Sequence, residues 1–170
     1  MRRRLVVMRH AKSSWKEPFP SDHERPLKGR GRREALRVAQ ELSELGWIPE
    51  RVISSDSART RETWACMSDG LPEPLPPVEF TRVLYHAGLN DLKTQLCQVD
   101  SETATVLVLG HNPGWEEVVE RLTGQGYVVM KTAFAALLST AGAGSWSECL
   151  DREGDWTLEG IVDPKGLLGS

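Results

Sequence analysis

The sequence predicts an α/β fold: a three-layer α/β/α sandwich with helices on both faces of a mostly parallel central sheet. Two observations carry that expectation. Short apolar, β-favouring runs alternate along the chain with segments whose apolar residues recur at helical spacing. The chain has 170 residues, 39% of them hydrophobic, which suits one compact domain over residues 1–170.

The first strand is Leu5-Val6-Val7-Met8, and it gives way abruptly to the polar run Arg9-His10-Ala11-Lys12-Ser13-Ser14. Residues 12–28 read as a loop rich in serine, proline and charge. Ala35, Val38, Ala39, Leu42 and Leu45 form one stripe, so a helix is expected from Arg30 to Leu45, capped by Gly46. Arg51-Val52-Ile53-Ser54-Ser55 is the second strand, and Ser57 is placed to cap a helix from Ala58 to Met67. Pro72, Pro74, Pro76 and Pro77 force an irregular connection, read as a loop within the domain. A short strand at Val78–Phe80 and a helix at Asn90–Gln98 come next, followed by a strand at Thr105–Leu109. The next helix is expected to have Asn112 as its N-cap, Pro113 at its first position and Gly124 just past its end. Its buried stripe is Trp115, Val118, Val119 and Leu122. Phe134–Leu138 reads as a strand and Asp155–Val162 as an edge strand.

Composition narrows the function classes. The formal net charge is -3, which gives no reason to expect nucleic acid as the main partner. No run approaches the ~20 apolar residues that cross a bilayer, so no membrane partner is expected. The Ala133–Ala143 stretch is broken by Ser139, Thr140 and Gly142 and reads as a buried strand and turn. Met1-Arg2-Arg3-Arg4 precedes too short an apolar segment for a signal peptide. Cys66, Cys97 and Cys149 are scattered and odd in number, which suits reduced thiols in a cytoplasmic protein. Lys28, Arg30, Arg32, Arg33 and Arg37 crowd one segment. The solvated side of a helix is the favoured reading, and a rim attracting an acidic or phosphorylated partner is the sharper one.

Three strands run out into chemically pointed residues. The first leads into Arg9-His10, the second into Arg59, and the Thr105–Leu109 strand into Gly110-His111. Ligands of open α/β sheets gather beyond the carboxyl ends of the strands. If these strands are parallel neighbours, two arginines and two histidines converge on one edge, a set suited to a phosphate.

With those residues the sequence resembles the histidine phosphatase superfamily, in particular its small bacterial phosphohistidine phosphatase branch. The match consists of Arg9-His10, the helix entry Ser55-Asp56-Ser57-Ala58-Arg59-Thr60-Arg61-Glu62-Thr63, and Gly110-His111-Asn112-Pro113. Asp22 to Gly31 also looks like the loop and helix entry of that branch, and the likeness spans most of residues 1–125. Ala11 stands where glycine is usual and Thr60 where alanine is common, and neither change removes a chemical group. The resemblance implies a phosphoglycerate-mutase-like sandwich. It also implies a phosphatase that needs no metal or other cofactor and acts on a phosphorylated protein or a small phosphorylated substrate.

In that reading His10 is the nucleophile, attacking phosphorus and carrying the phosphoryl group as a covalent intermediate. Neighbouring arginine charge favours its neutral form. Arg9 and Arg59 clamp the phosphoryl oxygens, and His111 donates to one of them. The plain alternatives are a packed strand-end histidine for His10, an ion pair with Glu62 or Glu116 for Arg59, and a capping turn around His111. Larger members of the superfamily carry a carboxylic general acid between the second and late strands. Thr81 to Gly88 holds no carboxylate, which leaves Tyr85, His86 and Asp22 as weak candidates. A phosphoramidate leaves more readily than an alkyl phosphate and needs less of an acid, so phosphohistidine on a protein is the expected substrate. The rivals are a small-molecule phosphomonoesterase or mutase on the same scaffold, and a phosphate-binding module without turnover. A serine hydrolase lacks its Gly-x-Ser-x-Gly turn here. A metal site on the histidines is disfavoured because two arginines repel a cation.

Overall fold

The computed structural model describes residues 2–16 and 18–168. Its strands are β1 (Arg3–Arg9), β2 (Arg51–Ser55), β3 (Val78–Thr81), β4 (Thr105–Gly110), β5 (Ala135–Thr140) and β6 (Thr157–Val162). The helices are α1 (Gly29–Glu44), α2 (Ala58–Ser68), α3 (Leu89–Leu96), α4 (Gly114–Thr123), α5 (Trp146–Asp151) and α6 (Pro164–Leu168). One sheet runs in the order β3-β2-β4-β1-β5-β6. The first four strands in that order pair in parallel, whereas β5 and β6 add on antiparallel.

Alternation along the strands splits the core in two. Leu5 and Val7 of β1 point into one cluster with Trp115, Val118 and Leu122 of α4, Leu92 and Leu96 of α3, and Trp146 of α5. Val6 and Met8 point the other way, against Ala35, Val38 and Leu42 of α1 and Trp64 and Met67 of α2. A strand buried on both faces needs apolar residues at every position, which explains the unbroken run from Leu5 to Met8. α4 buries its expected stripe, and α1 buries Ala35, Val38, Ala39 and Leu42 of its own, whereas Leu45 sits at the C-cap just past the helix and is exposed.

Two details depart from expectation. The helix after β4 begins at Gly114 with Pro113 at the N-cap, one residue later than expected, because the Asn112 amide is otherwise engaged: it donates to the Met130 carbonyl at 2.7 Å. The short helices α5 and α6, and 3-10 turns at Asp22–Glu24 and Arg82–Leu84, were not signalled by periodicity. They are too brief to show a stripe. The basic residues of α1 lie mostly on its solvent side, with Arg30 paired to Glu34, Arg37 to Glu41 and Arg32 to Glu62.

Candidate active site

The site follows from strand register. Parallel pairing sets Arg9 opposite Gly110, so His10 and His111, one residue further on, come off neighbouring strands together. The His10 amide donates to the Gly110 carbonyl at 3.0 Å, and the two imidazole centroids lie 5.3 Å apart. Arg59 comes from the second residue of α2, whose start is fixed by Ser57 Oγ accepting from the Thr60 amide at 3.3 Å. Thr63 ties that helix to β1. Its hydroxyl donates to the Arg59 carbonyl at 2.6 Å and accepts from the Ala11 amide at 3.0 Å. Ala11 is fully buried in the place where the resemblance suggested glycine.

Each ring has one nitrogen held by a neighbour. His10 Nδ1 lies 2.7 Å from the Ala11 carbonyl, an acceptor only, so Nδ1 bears the hydrogen and Nε2 keeps its lone pair. Burial pushes the His10 pKa down to about 3 against the lift from the Ala11 carbonyl, and Arg59, Arg9 and Arg25 press the same way as burial. The ring is therefore neutral near pH 7. His111 Nε2 sits 2.9 Å from Ser55 Oγ, which itself accepts from the Ser57 amide at 3.4 Å. With the Ser55 hydroxyl donating to Nε2, the His111 hydrogen sits on Nδ1. Burial first, then the neighbouring His10, Arg59 and His86, drive the His111 pKa down to about 2.

Hydrogen-bond donors are left over. Among the described residues, Nδ1 of His111 and Nε of both Arg9 and Arg59 are buried without a partner. Buried donors are ordinarily satisfied, so such a group of orphans calls for an acceptor of negative charge. Three of the four outer nitrogens of these arginines are held instead. Arg9 Nη1 donates to the Met130 carbonyl at 3.1 Å, and Arg59 grips the Asp22 carbonyl at 2.7 Å and Asp22 Oδ2 at 3.1 Å. Arg59 pairs with neither Glu62 nor Glu116, which engage Arg32 and the Met130 amide.

Asp22, Tyr85 and His86, the three weak acid candidates, prove to be neighbours of this cluster. Tyr85 Oη donates to Asp22 Oδ2 at 2.6 Å, and His86 Nε2 is 4.0 Å from the same oxygen. The Tyr85 and His86 rings lie 5.4 and 5.5 Å from His111. Partial burial pushes the Asp22 carboxyl upward, but the Tyr85 hydroxyl and the Arg59 and Arg25 charges outweigh it and bring its pKa to about 2. Burial and the adjacent Asp22 raise the Tyr85 phenol above its usual range. His86 is exposed and faces the site edge, with φ 59°. Sequence reasoning missed Ser55 as the tautomer-setting partner and Arg25 as the brace on Asp22. The only signal for Arg25 was its place in the Asp22–Gly31 motif.

No helix among the described residues is long and apolar enough to cross a membrane. The three cysteines are free thiols, with Cys149 buried and Cys97 exposed.

Comparison with known proteins agrees with this geometry. A chloroplastic protein of Arabidopsis thaliana, itself uncharacterized, is 41% identical over 178 residues, covering 98% of this chain and 80% of that one. An uncharacterized Mycobacterium leprae protein is 34% identical over 128 residues, 70% of this chain and 73% of its own. Among solved structures, a protein of Nakamurella multipartitia named provisionally as the phosphohistidine phosphatase SixA superposes with a TM-score of 0.78 at 28% identity, covering 96% and 97% of the two chains. The protein histidine phosphatase SixA complexed with tungstate gives a TM-score of 0.80 at 24% identity over 96% and 99%, a likeness of fold. The family model of the histidine phosphatase superfamily, branch 1, matches residues 5–93, which hold Arg9, His10 and Arg59. With the strand ends, the paired histidines and these matches in agreement, the chain belongs to the histidine phosphatase superfamily.

Proposed function

We propose that this protein is a phosphatase acting on phosphohistidine in proteins, through a covalent phosphoryl intermediate on His10. Nε2 of His10 attacks phosphorus in line while the bond from phosphorus to the substrate's imidazole nitrogen breaks. The departing nitrogen keeps that electron pair and takes up a proton from water at the open rim. Water then attacks the phosphoryl group, the bond to Nε2 breaks, and phosphate leaves with His10 restored to its neutral form. Arg9, Arg59 and the Nδ1 hydrogen of His111 neutralise the equatorial oxygens in both transition states. All of their charge is supplied by side chains, so the proposed chemistry needs no metal.

The choice of a phosphoramidate over a phosphate ester rests on Asp22. It is the carboxyl group beside the site, and its hydrogen bonds and ion pairs hold it ionised near pH 7. An ionised carboxylate donates no proton to a leaving alkoxide, whereas a departing imidazole needs far less help. The neighbour named SixA agrees with this choice.

The test is a turnover panel of phosphohistidine-bearing protein, free phosphohistidine and common phosphomonoesters, with acid quench during turnover avoided in favour of base. A base-stable, acid-labile phosphoryl adduct on His10 is expected, lost together with activity in His10→Ala. Hydrolysis of a metabolite ester with kcat/KM on the order of 10⁵ M⁻¹s⁻¹ and none of phosphohistidine would reject the substrate assignment.

A further inference from the structure

Beside the catalytic cluster lies a groove of ≈ 680 Å³ whose lining includes Ser13, Trp15, Lys16, Leu27 and Lys28. Trp15 is 71% exposed, an unusual state for the largest apolar side chain. It is nevertheless held in place. The Arg25 guanidinium covers one face of its ring at 3.8 Å from the centroid, and the Phe19 ring meets it edge-on at 6.4 Å. Arg25 in turn bonds Ser13 Oγ and pairs with Asp22, which is gripped by Arg59. Trp15 is therefore joined to the proposed phosphate clamp through two consecutive ion pairs.

The surroundings are cationic. Lys12, Lys16, Lys28 and Arg33 are exposed, and among the described residues none has a carboxylate within ion-pair distance. The first turn of α1, which starts at the groove, carries no acidic residue. This concentration of positive charge, unpaired among the described residues, sits on a chain whose net charge is -3. Spread cations match several carboxylates spaced along a polypeptide. A nucleoside monophosphate would bring one phosphate, already taken by the clamp, and leave most of them unmatched.

We infer that the Trp15 groove docks an acidic segment of the protein substrate next to the phosphorylated histidine. This rests on the protein-phosphohistidine reading above, and it assigns the recognition to residues outside the reacting cluster. Trp15 would lie under the segment's backbone and apolar stems while Lys16 and Lys28 meet its carboxylates.

The test uses a fluorescein-labelled peptide with one histidine flanked by glutamates, with and without chemical phosphorylation of that histidine, and its lysine-flanked counterpart. Phosphoramidate itself serves as the small substrate. In Trp15→Ala, and in the Lys16→Ala/Lys28→Ala double variant, KM for the glutamate-flanked phosphopeptide should rise at least ~10-fold, as for loss of an aromatic hot spot. Its kcat, and turnover of phosphoramidate, should stay unchanged. Fluorescence polarisation of the unphosphorylated glutamate peptide reads the groove separately, so it reports even if phosphohistidine is no substrate. Wild type should bind that peptide more tightly than the lysine-flanked one and lose the preference in both variants. Equal binding by wild type and variants overturns the proposal, as does a matching fall in phosphoramidate turnover. So does adenosine monophosphate competing through Trp15 where the acidic peptide does not.

Discussion

Acidification from about pH 8 to about pH 5 should destabilise the fold by about 4 kcal/mol through His10 and His111 alone. Both rings are held neutral, with folded pKa values of about 3 and about 2 against an ordinary 6.5. A base whose pKa is lowered on folding binds its proton more readily when unfolded. The stability is therefore fully present above the unfolded value and is lost as pH falls below it. At about pH 5 each unfolded ring gains roughly 1.4 kcal/mol for each of about 1.5 pH units, close to 2 kcal/mol, while neither folded ring has begun to titrate. Asp22 does not confuse the reading. Its folded pKa is about 2 against 3.8, so its contribution survives at pH 5 and is lost only in stronger acid. The assay is urea unfolding at both pH values for wild type and for a His10→Asn/His111→Asn double variant, which cannot titrate at these positions. The variant's loss should be smaller than that of wild type by about 4 kcal/mol. Equal losses, to within about 1 kcal/mol, would refute the claim that the cluster is stored neutral.

Arg9→Ala, Arg59→Ala and His111→Ala should each lower kcat/KM by ~10²-fold or more without loss of fold, and chelators should leave wild-type turnover intact; both are read by steady-state kinetics. Asp22→Asn removes the charge that holds Arg59 Nη2 and leaves the main-chain bond to Nη1, so vanadate should bind tighter by on the order of 10-fold while phosphohistidine turnover persists. Collapse of that turnover would make Asp22 the proton donor. Gly114→Ala places a Cβ 1.8 Å from the Ala87 carbonyl oxygen, so it should cost about 1–3 kcal/mol in urea unfolding by forcing the start of α4 away from the Tyr85–Ala87 segment.

Much of this architecture was legible because it is local. Doubly buried strands write themselves as unbroken apolar runs, and the α1 and α4 stripes follow from helical period. Arg9, His10, Arg59 and His111 were legible for the same reason, each lying within a few residues of a strand end. What escaped was long-range. Asp22 meets Arg59 across 37 positions and Tyr85 across 63, and nothing in the intervening composition announces either contact. The start of α4 was misplaced by one residue because Asn112, a good cap by type, is drawn to Met130. The absence of a carboxylate from Thr81–Gly88 was read correctly, but the sequence could not show that Asp22 arrives there from another loop.

Met130 carries a consequence for how such a site can diversify. Its carbonyl accepts from both Arg9 and Asn112, and its amide donates to Glu116. The clamp is thus steadied by main-chain atoms of the segment before β5, while the side chains of Tyr127 and Val129 stand in solvent at 83% and 42% exposure. A peptide group is the same whichever residue carries it. The outer positions of this segment can therefore drift, reshaping the rim that a new substrate would meet, while the arginine beneath stays aligned. Innovation at the rim and constancy at the candidate site are uncoupled by the main-chain groups of one buried residue.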